Sequence, residues 1–269
     1  MAVEALHSAA SGMTALSTQI DVIANNIANV NTTGFKASRA NFEDLLYQQR
    51  EQPGVENGDG PQNPALLQVG LGVRVSNTQF DFGQGSIEVT NRSLDLAVEG
   101  DGLFRVTVAG DRTIDNVGYT RAGNFFVNRD NQVVLGNSEG AILDPPIEIP
   151  DDAVGISISP DGIFTAIDSQ QNTTELGQIQ LATFVNPSGL KSIGGNIFVE
   201  TEVSGPPVVG NPLEGQLGGI AQGQLEASNA DPVTELVSLI KAQRAFELNS
   251  QTIQAADETL SVVSNLRRF

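Results

Sequence analysis

The stretch LHSAASGMTALSTQIDVIANNIANV, residues 6–30, decides the architecture. Leu6, Ala9, Met13, Leu16, Ile20, Ile23, Ile27 and Val30 recur in alternating steps of three and four residues, the spacing of a coiled-coil seam. The pattern predicts a long helix with one narrow apolar stripe. It should stop at Asn31-Thr32-Thr33-Gly34, where Gly34 can adopt the left-handed conformation that closes a helix. The far end repeats the alternation at Leu239, Ala242, Phe246, Asn249, Ile253, Ala256, Leu260 and Val263. Pro232 is tolerated in the first turn of that second helix, and Asp231 can act as its N-cap. Asn249 is the polar position in its seam, a type that fixes register.

Between these ends the period changes to two. Residues 94–99 and 103–108 flank Gly100-Asp101-Gly102, residues 125–128 and 132–135 flank Arg129-Asp130-Asn131, and residues 156–159 and 163–166 flank Pro160-Asp161-Gly162. Each reads as a β-hairpin. Further strands are expected at 178–184 and 196–200, with Gly/Pro punctuation over 204–219. Residues 50–64 differ: Val55 is their only aliphatic residue among Gln, Glu, Gly, Pro, Asn and Asp, so the segment reads as an extended excursion.

The predicted class is α+β. Residues 1–35 and 232–269 form a discontinuous coiled-coil domain, 36–75 an extended linking segment, 76–215 a mainly β middle domain and 216–231 a return linker. A helix of about 28 residues is about 42 Å long, and an isolated pair would leave much apolar surface wet. Either the two helices form a stalk on their own β domain or they bundle with other copies. Ends that are seamed on one side and polar on the other fit the second arrangement better.

Composition narrows the chemistry. The formal charge of −18, from 14 Lys and Arg against 32 Asp and Glu, repels phosphate backbones and excludes nucleic acid as a partner. With no Cys and His7 as the only histidine, there is no thiolate metal site, no disulfide and no His-dependent triad. Gly70-Leu71-Gly72 and Gly83-Gln84-Gly85 lack the third glycine of a dinucleotide fingerprint, so no cofactor is expected. Asp151-Asp152, or Glu99 with Asp101, could serve a glycosidase acting on peptidoglycan, but acids at hairpin edges are ordinarily just solvated. The start of the chain lacks the basic and apolar regions of a cleaved signal.

One cluster needs an account of its own. Asn25, Asn26, Asn29 and Asn31 crowd the end of the first helix, where each costs roughly 0.6 kcal/mol of helix propensity relative to Ala. Their amides are expected to bond a neighbouring chain or the turn that follows.

Ala24-Asn25-Asn26-Ile27-Ala28-Asn29-Val30-Asn31-Thr32-Thr33-Gly34-Phe35-Lys36 resembles the N-terminal signature of bacterial flagellar rod and hook proteins. Glu235-Leu236-Val237-Ser238-Leu239-Ile240-Lys241-Ala242-Gln243-Arg244-Ala245-Phe246-Glu247 is similar to that family's C-terminal helix. Three further stretches look like distal rod members: Phe42-Glu43-Asp44-Leu45-Leu46-Tyr47-Gln48 with Gln52-Pro53-Gly54, Asp95-Leu96-Ala97-Val98-Glu99-Gly100-Asp101-Gly102, and Tyr119-Thr120-Arg121-Ala122-Gly123.

The resemblance implies a structural subunit rather than an enzyme, with the two ends as an inner coiled-coil domain, residues 36–75 as an extended linking hairpin and the β domain outside. Such a subunit polymerises helically around the export channel, between proximal rod and hook, inside the surrounding rings of the basal body. It would leave the cell through the flagellar export apparatus without a cleaved signal, and residues 50–64 would be ordered by neighbours and stiffen the shaft. The candidate self-assembly face is then Leu6, Met13, Leu16, Ile20, Ile23, Asn25, Asn26, Ile27, Asn29, Val30, Asn31, Gly34 and Phe35 from the first end, with Leu239, Gln243, Arg244, Phe246, Asn249, Ile253, Leu260 and Val263 from the second.

Overall fold

A computed structural model describes residues 2–51, 67–108 and 116–266. Most of the expected excursion at 50–64 and the side chain of Val263 lie outside the described residues. The chain divides into a helical unit, Met1–Ile27, Ser38–Gln79 and Pro232–Phe269, and a β unit, Ala28–Ala37 and Phe80–Asp231. The backbone therefore passes between the two units four times, after Ile27, Ala37, Gln79 and Asp231.

In the helical unit, α1 (Ala2–Ala28) and α2 (Pro232–Leu266) are the two expected helices. Along α1, Ala9 and Ile23 of the stripe are buried, as are Ala15 and Asn26 beside it, and Leu6, Met13, Leu16, Ile20 and Ile27 are half-buried. Two pairings join the helices. The Asn249 amide lies against Gly12, where a Cβ would come within 3.1 Å of its nitrogen, and Asn26 Nδ2 donates to Glu235 Oε1 at 3.1 Å. Gly12 precedes Asn26 by 14 residues and Glu235 precedes Asn249 by 14. The helices therefore run antiparallel in step, over about 21 Å at 1.5 Å per residue.

Beside them runs a two-stranded ribbon built from β1 (Ser38–Asp44), β2 (Tyr47–Glu51), β3 (Leu67–Gly70) and β4 (Val73–Phe80). β1 pairs with β4 and β2 with β3, and the ladder continues through Leu45 N–H to the Gly72 carbonyl and Leu71 N–H to the Leu46 carbonyl. α1 holds this ribbon at two points. Asn26 bonds both backbone groups of Ser38, at 2.8 and 3.0 Å, and Ser11 Oγ accepts from the Val73 N–H at 3.2 Å.

The β unit contains β5 (Ile87–Val89), β6 (Leu96–Glu99), β7 (Leu103–Thr107), β8 (Val117–Thr120), β9 (Phe125–Val127), β10 (Val133–Leu135), β11 (Ile142–Leu143) and β12 (Ala153–Ile158). It continues with β13 (Ile163–Asp168), β14 (Thr173–Gln178), β15 (Leu181–Thr183), β16 (Lys191–Gly194), β17 (Ile197–Val199), β18 (Val208–Gly210), β19 (Gly219–Gln222) and β20 (Gln224–Glu226). The main sheet follows the order β16-β17-β8-β7-β11-β10-β9, with β15 bonded to β7 and β18. β12-β13-β14 form a second sheet, and β6 with β19 and β5 with β20 form two-stranded pairs. Phe104, Phe125, Phe164, Leu96, Leu135, Leu143 and Leu181 fill one core, and Tyr119, Phe184 and Phe198 head a second. In the second, Tyr119 meets Phe184 edge-on at 4.8 Å, the geometry that a ring quadrupole favours.

Two expected hairpins form, β9-β10 and β12-β13. Their turns carry Asn131 at φ 61° and Gly162 at φ 80°, as left-handed turn positions require. The hairpin across Gly100-Asp101-Gly102 does not form. β6 pairs instead with β19, and β7 with β8, β11 and β15. Gly100 and Gly102, at φ 106° and 140°, redirect the chain past Gly218 and Leu181. For the same reason residues 216–231 are not simply a return linker, because β19 and β20 complete the β unit. The first helix also ends earlier than Gly34 implies. It stops at Ala28, leaving Val30 in the following turn, while Gly34, at φ 67°, bonds to the carbonyl of Glu226.

Candidate assembly face and the buried cluster at its root

The predicted interface residues fall into three groups. Leu6, Met13, Leu16, Ile20, Ile23 and Ile27 on α1, with Leu239, Asn249 and Ile253 on α2, occupy the less exposed stripes of the two helices. Gln243 and Arg244 are exposed on α2, where Arg244 pairs with Glu247 at 3.0 Å, whereas Phe246 and Leu260 continue its seam at 38% and 37% exposure. Asn29, Val30, Asn31, Gly34 and Phe35 belong to the β unit. The four asparagines separate accordingly: Asn26 is buried and bonded within its own chain, Asn25 and Asn31 are exposed, and Asn29 Oδ1 accepts from Thr32 Oγ1 at 3.1 Å.

Sequence reasoning missed a second apolar stripe on α2. Val233, Leu236, Val237 and Ile240 recur at helical spacing, and all are exposed, Ile240 at 57%. The signal was legible as steps of three and four, but the regular seam through Leu239 drew the reading first.

It also missed a buried electrostatic cluster in the β unit. Lys36 Nζ and Glu226 Oε1 meet at 2.6 Å with both side chains fully buried. Lys36 also donates to the Gly83 carbonyl at 2.8 Å, and the Gly85 N–H donates to Glu226 Oε1 at 2.9 Å. Arg121 approaches the other carboxylate oxygen at 3.1 Å and also donates to the carbonyls of Val98 and Gly100. Two cations thus share one carboxylate, with backbone carbonyls completing the shell that a buried charge needs.

Burial pulls the Lys36 ammonium below its ordinary 10.5; Glu226 opposes that shift and Arg121 adds to it. The sign follows directly. Below 10.5 the unfolded chain holds the Lys36 proton more tightly than the folded one, so this residue's contribution to stability rises with pH through that window. Below the lowered value both states hold the proton, and the contribution levels off at its minimum. Lys36→Met should abolish this trend, which is measured as the difference in urea midpoint between variant and parent as the pH is raised toward 10.5. A constant difference would contradict the reading.

The local sequence explains how the cluster is positioned. In Tyr119-Thr120-Arg121-Ala122-Gly123, Thr120 Oγ1 accepts from the Ala122 N–H, turning the chain so that Arg121 points inward. Gly123 lets the backbone pass so close to Leu96 that a Cβ would stand 1.6 Å from the Leu96 carbonyl oxygen. Both motifs that stood out in the sequence, 95–102 and 119–123, are therefore halves of one packing arrangement around Arg121. Among the described residues no group of three or more His, Cys, Asp or Glu side chains gathers to hold a metal ion.

Comparison with known families finds three matching segments. The family described as flagella basal body rod protein matches residues 6–36, the flagellar hook protein FlgE/F/G D1 domain matches 97–166, and the flagellar basal body rod FlgEFG protein C-terminal region matches 221–266. Lys36, Arg121 and Glu226 come one from each matched segment. Among curated relatives, the flagellar basal-body rod protein FlgG of Borreliella burgdorferi is 42% identical over 98% of both chains. The protein of the same name from Caulobacter vibrioides is 43% identical over 98% of this chain and 99% of its own, and that from Bacillus subtilis 39% over 98% of both. With identity at this level running the length of the sequence, and with all three family segments joined in one fold, the chain belongs to the flagellar basal-body rod protein family and is a structural subunit of the flagellar rod.

Proposed function

We propose that this subunit builds the distal rod. Copies assemble helically through their terminal helices into the shaft that transmits torque from motor to hook and encloses the export channel. Its neighbours are then proximal rod and hook subunits along the axis and ring proteins around it. The subunit reaches its site through the flagellar export apparatus without a cleaved signal, and its role is non-enzymatic. In the polymer α1 and α2 pack as a coiled coil with those of other copies.

The observation that carries this reading is the missing core of the helical unit. Both hydrophobic clusters belong to the β unit, whereas the helical unit buries only Ala9, Ala15, Ile23, Asn26 and Ala242 among the described residues. A two-stranded ribbon and two helices with so small a core are not independently stable. Meanwhile α2 exposes Val233, Leu236, Val237 and Ile240, each offering roughly 1.5–3 kcal/mol if fully covered. Open-ended helical assembly, in which one patch meets a different patch on the next copy, supplies that cover.

The double variant Leu236→Asp/Ile240→Asp tests it. Both side chains are exposed in the monomer, so its melting temperature should stay within the small range of surface substitutions. Filament formation and swimming should be lost. Wild-type swimming from this variant, at normal protein levels, would overturn the proposal.

A further inference from the structure

Residues 28–37 belong to the β unit, although the segments before and after them, Met1–Ile27 and Ser38–Gln79, both belong to the helical unit. They form a strap, laced chiefly to residues 226–229. The Gly34 N–H donates to the Glu226 carbonyl at 2.7 Å, the Asn229 N–H to the Phe35 carbonyl at 3.3 Å, and the Ala37 N–H to Asn229 Oδ1 at 2.7 Å. Asn196 Nδ2 holds the Thr33 carbonyl at 2.8 Å, and the Asp81 N–H donates to the Ala37 carbonyl at 2.8 Å. The buried ammonium of Lys36 then fastens the strap from beneath, through Glu226.

Both helix roots hang on this pair of segments. α1 ends at Ala28, the first residue of the strap, and α2 begins at Pro232, just beyond the laced residues and the buried Ala230. We propose that the strap and the Lys36–Glu226–Arg121 cluster form a clamp that fixes where both terminal helices leave the β unit. Gly34 and Lys36 are then positioning residues for assembly that act without touching a neighbouring copy. The assembly half of this proposal rests on the rod reading; the clamp half does not.

Two variants open the clamp by different physics. Lys36→Met removes the charge and leaves Glu226 paired with Arg121. Gly34→Ala leaves every ion in place but puts a Cβ 2.5 Å from the Ala122 nitrogen, at a φ of 67° that side chains resist. Hydrogen exchange on the purified full chain reads the strap directly through the amides of Gly34, Asp81 and Asn229. In both variants these should exchange at least about tenfold faster, while the amides of β12, β13 and β14 keep their wild-type rates.

Complemented cells should swim poorly or not at all. Unchanged strap amides in both variants would overturn the clamp. An equal rise across the whole β unit would overturn it too, because it would mean that these residues merely support the core. Opened straps with normal swimming would overturn the positioning role. If Leu236→Asp/Ile240→Asp also swims normally, the rod reading itself has failed, whereas loss of swimming in that variant confines the failure to the clamp's role.

Discussion

Replacing Glu226 with Ala is expected to destabilise the β unit by about 3–5 kcal/mol, because it leaves two buried cations with no counter-charge. Lys36 and Arg121 would still be held by the carbonyls of Gly83, Val98 and Gly100, but these are dipoles and cannot neutralise two full charges. Water would have to enter, or the strap would have to lift so that Lys36 reaches solvent. Lys36→Met should cost less, since the Arg121–Glu226 pair survives it. The order Glu226→Ala worse than Lys36→Met is the sharper expectation, and urea unfolding followed by circular dichroism measures it. Equal midpoints for the two variants would show that the carboxylate is not the shared element.

Gly123→Ala should be comparably severe, with a loss of about 3 kcal/mol or more, by a purely steric route. A Cβ there would lie 1.6 Å from the Leu96 carbonyl oxygen, and neither partner is a flexible side chain that can swing away. The backbones of Gly123 and Leu96 would have to part, breaking the 2.9 Å bond from the Leu96 N–H to the Gly123 carbonyl at the centre of the core. Gly215→Ala is the matched control. It has φ 64° but open space around it, so it should lose only the left-handed penalty of about 1–2 kcal/mol. If both variants unfold at the same urea concentration, close approach is not what Gly123 provides.

The sequence carried the local features of this fold clearly and the long-range ones poorly. Both terminal helices were legible because burial on one face forces steps of three and four, and the β9-β10 and β12-β13 hairpins because their turns need residues such as Asn131 and Gly162. The strand pairing of β6 was not legible. Gly100-Asp101-Gly102 has the composition of a hairpin turn, and only the arrival of β19, some 120 residues later, reveals that β6 has another partner. Lys36 was quoted as the last letter of a motif, but its role depends on Glu226, 190 residues away. No periodicity reports such a pairing.

The four backbone passages between the units bear on how the chain survives a cut. A domain attached by one linker is lost when that linker is cleaved. Here four covalent connections join the units, after Ile27, Ala37, Gln79 and Asp231. A nick at any one of them leaves the two units joined through the other three.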